Sequence, residues 1–210
     1  MRCRRLIAYM LLIGASSSAF YAQNATPTLP TYFPPKVFAD LEHNRYMDGK
    51  LQDSWFGAQL FGLQEPPLIG RSHYDEPVYR FTLLPSFGHP VVVRVSIHQN
   101  GTATVVTRVG KGAGGYGPKG MLSDHSSELP SDKVQVLKDE VALSKFWDLP
   151  TEPNKQGGTD GTEWLFEAAE SGHYHVVDRW EGADLRKLGL FFLNNIGQVG
   201  PEAELSKSIE

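Results

Sequence analysis

Residues 91–109 read VVVRVSIHQNGTATVVTRV, two β-branched runs on either side of Gln99-Asn100-Gly101. Asn-Gly is a preferred two-residue hairpin turn, because both residues tolerate positive φ. With Asn100-Gly101 as the turn, Gln99 faces Thr102, Ile97 faces Thr104, Val95 faces Val106 and Val93 faces Arg108. Those pairs form one mostly apolar face, while His98, Ser96, Arg94 and Thr107 fall on the other. This alternation is the pattern of an antiparallel sheet with one wet side.

Working outward, residues 79–84 supply a further strand on the N-terminal side. On the C-terminal side a glycine-rich loop at 110–120 leads to a returning strand at 121–129. A second hairpin pairs residues 163–170 with 173–180 about Ser171-Gly172, setting Glu170 opposite His173, Ala168 opposite His175, Phe166 opposite Val177 and Trp164 opposite Arg179. Three helical patterns surround these strands. Asp53 can cap a short helix with Phe56, Leu60 and Leu63 on one stripe, stopped by Pro66-Pro67 and weakened by Gly57 and Gly62. Ser131 reads as the N-cap of a second helix carrying Val134, Leu137 and Val141 and ending near Leu149-Pro150. Leu185, Leu188, Phe192, Leu193 and Ile196 follow helical spacing in the third, where Gly189 permits close packing on the sheet and Gly197 is placed as a stop. Strands that run in hairpins predict an α+β fold, a mainly antiparallel sheet of about six strands with two or three helices on one face.

The N-terminus carries Arg2, Arg4 and Arg5 ahead of a 15-residue, mostly apolar stretch at 6–20. A membrane-spanning helix needs about 20 residues, so this reads as a signal peptide cleaved after Ala19 or Ala22. Its removal takes the formal net charge from −4 to −7 and discards Cys3, the one cysteine, leaving no internal disulfide. The expected organisation is a signal peptide over 1–22, a Pro-rich linker and irregular segment over 23–50, a single α+β domain over 51–197 and a flexible tail over 198–210. With 40% hydrophobic residues and 20 Lys and Arg against 24 Asp and Glu, composition excludes a disordered chain and a basic nucleic-acid binder.

Several residues could carry chemistry. His173 and His175 lie two apart on a strand and share a face with Glu170, a set that could hold zinc or copper or act as an acid–base pair. A closed metal site needs a fourth ligand, and none is placed, so no metal or cofactor is assigned. Trp164 opposite Arg179 invites a cation–π contact. The reverse face of that hairpin mixes Leu165, Tyr174, Val176 and Trp180 with Glu163, Glu167 and Asp178. It must therefore bury a carboxylate with a partner or display aromatics, and a salt-bridged pair is favoured. Asp160-Gly161 is turn chemistry whose Asp could serve as a base. The run from Gly110 to Gly117 could cradle an anion, but it lacks the Lys-Ser/Thr ending of a P-loop and reads as a connection. No Gly-x-Ser-x-Gly elbow, His-Glu-x-x-His helix or dinucleotide fingerprint is present.

The ordered motifs Tyr79-Arg80-Phe81-Thr82, His89-Pro90-Val91, Gly112-Ala113-Gly114-Gly115-Tyr116, Phe146-Trp147, Asp160-Gly161 with Trp164 and Glu167, and Tyr174-His175-Val176-Val177-Asp178-Arg179-Trp180 carry a resemblance. On them the chain resembles a group of often exported bacterial proteins with no assigned function, over residues 60–197. The resemblance implies a bacterial origin and one domain. It transfers no catalytic residue, but it directs attention to Trp164, Glu167, His175, Arg179 and Trp180 as a binding surface.

The expectation is an exported domain, periplasmic or extracellular, that acts as a binding or structural module of the cell envelope. Its partner would be an envelope protein or a small ligand, with no nucleic acid and no stable membrane insertion once the leader is removed. The alternative is a hydrolase or metal-dependent enzyme built on His173, His175 and Glu170, or on Asp160.

Overall fold

The computed structural model describes residues 29–38, 49–70, 76–117, 119–152 and 160–199. The expected leader and nearly all of the expected tail lie outside them. Six strands form one antiparallel sheet: β1 (Val78–Pro85), β2 (Val91–Ile97), β3 (Ala103–Gly110), β4 (Met121–Leu129), β5 (Thr162–Glu170) and β6 (His173–Trp180), in the order β4-β3-β2-β1-β5-β6. The helices are α1 (Gly49–Gly62), α2 (Ser131–Leu143) and α3 (Arg186–Phe191), the last extended by one π turn over Phe192–Ile196. The fold is α+β, as the hairpin pattern predicts. Among the described residues no helix is long and apolar enough to cross a membrane.

Both faces of the sheet are covered. Phe81, Val93, Val105, Trp164, Phe166 and Val177 pack against α2 and α3. On the reverse face Leu84, Val92, Leu165 and Val176 pack against Phe56, Leu60 and Leu63 of α1 and its following turn. Two helices thus share a face and α1 takes the other. The Pro-rich segment differs from a free linker, because Tyr32, Phe33 and Phe38 are buried in this second core. Gly57, which weakens α1 as a helix, lets the Tyr32 ring approach: a Cβ there would stand 3.3 Å from Cδ2.

The two hairpins compare differently with expectation. The β5–β6 register is the expected one throughout, because Ser171 and Gly172 both take positive φ (51° and 80°) in a two-residue turn. The β2–β3 register is shifted by one, with Val95 opposite Val105 and Ile97 opposite Ala103. The loop there has three residues: His98 N–H bonds Thr102 O, Gly101 N–H bonds His98 O, and of Asn100 and Gly101 only Gly101 has positive φ (86°). A type I turn followed by a left-handed glycine fits Asn-Gly equally well. The slip places Ala103, Val105 and Val109 in the core beside Val93 and Val95 and leaves Arg94 and Arg108 on the reverse face.

Pro130, not Ser131, is the N-cap of α2, with extended backbone and no capping side chain. The helix stops at Leu143 rather than near Pro150. Lys145 takes a left-handed φ of 55° and turns the chain into a short 3₁₀ turn at Phe146–Asp148. Gly189 sits against the sheet as expected: a Cβ there would lie 2.5 Å from the Trp164 ring and 2.8 Å from Phe81 Cζ. Gly189→Ala should therefore cost about 1–3 kcal/mol by overpacking, read as a lowered urea midpoint. A loss under about 0.5 kcal/mol would mean that α3 does not press on the Trp164 ring in this way.

Candidate functional site

Charge is concentrated in three places, and their geometry separates structural groups from an accessible site. The first lies between α1 and the sheet. Arg80 sits directly between Arg94 and Glu167 across β2, β1 and β5. Its Nε donates to Glu167 Oε2 at 2.8 Å, its Nη2 lies 2.6 Å from the same oxygen, and its Nη1 donates to Pro66 O at 2.7 Å. Glu167 also accepts from the Tyr174 hydroxyl at 2.8 Å. Glu65, on the turn after α1, is held by Arg94 Nε and Arg108 Nη1 at 2.8 Å each, with Arg80 Nη1 at 3.5 Å. Burial pushes the Glu167 carboxyl up, while the Arg80 guanidinium pulls it back. The salt-bridged reading of this face is therefore the observed one.

The second place is a carboxyl pair. Glu163 and Asp178 occupy diagonal positions on the reverse face of β5 and β6 and share a side-chain hydrogen bond, which requires a proton on one of them. Burial pushes Glu163 up to about 7, against the pull of the Asp178 hydrogen bond and reinforced by Glu152 and Glu181. Asp178 is raised well above the carboxylate range, first by burial and then by Glu163.

The third place is a cleft of about 500 Å³ at the Ser171-Gly172 end of the β5–β6 hairpin, lined by Trp147, Glu170, Ser171, His173, Tyr174 and His175. The 3₁₀ turn brings Trp147 to its rim, 38% exposed, where the indole stacks on His175 with ring centres 6.1 Å apart and planes at 27°. Phe146 lies behind at 4.9 Å from the His175 ring. His175 Nε2 is 2.9 Å from Leu149 O, and since a carbonyl only accepts, Nε2 carries the proton. Burial holds the His175 imidazole below its usual range against the pull of that carbonyl. Glu170 is oriented from beneath by the buried Tyr79, whose hydroxyl donates to Oε2 at 2.5 Å. Burial and the adjacent Glu170 push the Tyr79 phenol up, which keeps it a donor.

His173, His175 and Glu170 thus meet at one cleft, as their spacing implies. Among the described residues no group of three or more His, Cys, Asp or Glu side chains is arranged to hold a metal ion. Asp160 precedes β5 at its opposite end, about 26 Å of strand away from the hairpin turn. The residues marked by the resemblance do not form one surface. Trp164 is wholly buried on the α3 face, and its cation neighbour is Arg186, 5.7 Å above the ring, rather than Arg179. Arg179 instead bonds Asp184 at 2.6 Å and the carbonyls of Pro150 and Thr151, tying the segment after α2 to β6. Glu167 lies on the reverse face in the arginine cluster, and Trp180 packs against Gly161. The Gly110–Gly117 loop is no anion cradle, since the amides of Lys111, Gly114 and Tyr116 bond the carbonyls of Gly120, Gly88 and Ala113.

Trp147 is the cleft residue that strand and helix patterns pass over. The Phe146-Trp147 motif is its one signal, and its position beyond the left-handed Lys145 has no local signature. The chain matches no protein-family model and no curated protein sequence, so its chemistry is argued from its own residues.

The carboxyl pair has a measurable consequence. Glu163, raised from 4.5 to about 7, retains a proton in the folded state that the unfolded chain has released. The Glu163 contribution to stability therefore falls as pH rises from about 4.5 through about 7, by up to about 1.4 kcal/mol for each pH unit crossed. Urea midpoints of the native chain should decline over that window relative to those of Glu163→Gln. Parallel curves for the two proteins would contradict the raised Glu163 carboxyl.

Proposed function

We propose that the chain is an exported domain of the bacterial envelope that binds a small ligand in the cleft at the β5–β6 turn. One observation carries this reading: the cleft gathers a half-exposed indole, two imidazoles and an oriented carboxylate around about 500 Å³. That volume is ordinary for a small-molecule site. Elsewhere the buried charges are engaged in holding the fold, as in the contacts of Glu65, Arg80 and Glu167.

Binding is favoured over hydrolysis by the positions of the candidate groups. Catalysis requires a base within hydrogen-bond reach of the group it activates. His175 donates to a backbone carbonyl, and Asp160 is a strand's length away. The signal-peptide reading of residues 1–22 supports export.

Amide NMR of the labelled chain, titrated with small-molecule extract of the bacterial envelope, tests the reading. Shifts should concentrate at residues 147 and 170–175 and disappear in Trp147→Ala. Shifts confined to other surfaces, or their persistence in Trp147→Ala, would overturn the assignment of the cleft.

A further inference from the structure

Resting on that reading of the cleft, we infer that its ligand is an organic cation, an alkylated ammonium group seated against the Trp147 ring and neutralised by Glu170. Glu170 is the acidic residue of the lining, and no lysine or arginine contributes to it. A carboxylate with no lysine or arginine in the lining repels anions and attracts cations. Tyr79 fixes this carboxylate from the protein side, so its orientation is set before a ligand arrives. Preorganised charge of this kind loses little freedom on binding.

The indole adds a second attraction. Trp147 stands at the rim of the cavity, 38% exposed, and the electron-rich face of an indole attracts cations, most strongly where water is displaced. His175 directs its Nε2 proton to Leu149 O, away from a ligand, and burial disfavours its charged form. An indole beside a carboxylate is recognised chemistry for quaternary and methylated ammonium groups. A bare metal ion fits poorly, because the imidazole of His175 is turned to a carbonyl and no cluster of three ligating side chains occurs among the described residues. The volume of about 500 Å³ also exceeds what a single ion needs and suits a head group with further atoms attached.

Choline and its uncharged isostere 3,3-dimethylbutan-1-ol have the same shape and differ in charge, so the pair isolates the cation. Titrated into the full labelled chain, choline should shift the amides of residues 147 and 170–175 and bind about tenfold or more tightly than the isostere. Glu170→Gln keeps the shape and an acceptor for Tyr79, and it should abolish the preference. Trp147→Leu, at a half-exposed rim position, should weaken choline about tenfold as well. Equal affinity for the two probes would overturn the cation assignment and leave the cleft as a site for uncharged ligands. Choline shifts elsewhere on the molecule, or none, would also overturn it. If neither probe nor envelope extract perturbs residues 147 and 170–175 in the folded chain, the cleft reading falls with it.

Discussion

The carboxylate of Glu65 is closed off from solvent with guanidinium groups of three successive strands, β1, β2 and β3, directed at it. Arg80 continues the chain of charge to Glu167 and Tyr174 on β5 and β6, so one hydrogen-bonded network crosses most of the sheet. The backbone joins in, through Pro66 O to Arg80, Gln64 O to Arg108 and Glu65 O to the Tyr32 hydroxyl. Ion pairs buried this deeply contribute little beyond what apolar packing would supply, but removing one partner leaves charge without compensation. Their effect is specificity of position. α1, the turn that ends it and the 29–38 segment are locked onto the reverse face in one register.

That lock has a functional corollary. On this face Arg80, Arg94 and Arg108 are taken up by Glu65, Glu167 and Asp124, and the accessible carboxylate of the cleft lies instead on the β5–β6 hairpin. β6 is an edge strand, and residues 149–152 cover its outer side: Leu149 O meets His175, Thr151 O accepts from Asp178 N–H, and Arg179 bonds Pro150 O and Thr151 O. The covering stops short of the hairpin tip. There Trp147, His173 and Glu170 remain around an open volume, on a two-residue turn that gives the cleft a rigid wall. At the other sheet edge β4 is exposed along most of its length, and Asp124 and Glu128 guard it against pairing with another chain.

How much of this was legible depended on whether the deciding interaction was local. The β5–β6 hairpin could be read pair by pair, because Ser171-Gly172 admits one turn geometry well. The β2–β3 hairpin could not, because Asn100-Gly101 serves a two-residue and a three-residue loop alike, and the choice falls to which valines reach the core. Glu170, His173 and His175 were visible as a set through strand alternation. Trp147 joins them from a turn more than twenty residues earlier, a tertiary fact with no local signature. The arginine cluster left one trace, an arginine inside the apolar run VVVRVSI, but its partner Glu65 lies 29 residues away. Likewise Trp164 and Arg179 face each other in register, yet Arg186 and Asp184 from the following turn take the contacts that pairing alone assigns to them.

The most direct test of the account is the unfolding free energy of Glu65→Gln at neutral pH, measured by urea denaturation against the native chain. If Glu65 is the counter-charge on which α1 and three strands converge, the substitution leaves buried guanidinium groups short of one negative charge and lowers stability by about 3–5 kcal/mol. A change below about 1 kcal/mol, the range of an exposed ion pair, would contradict it.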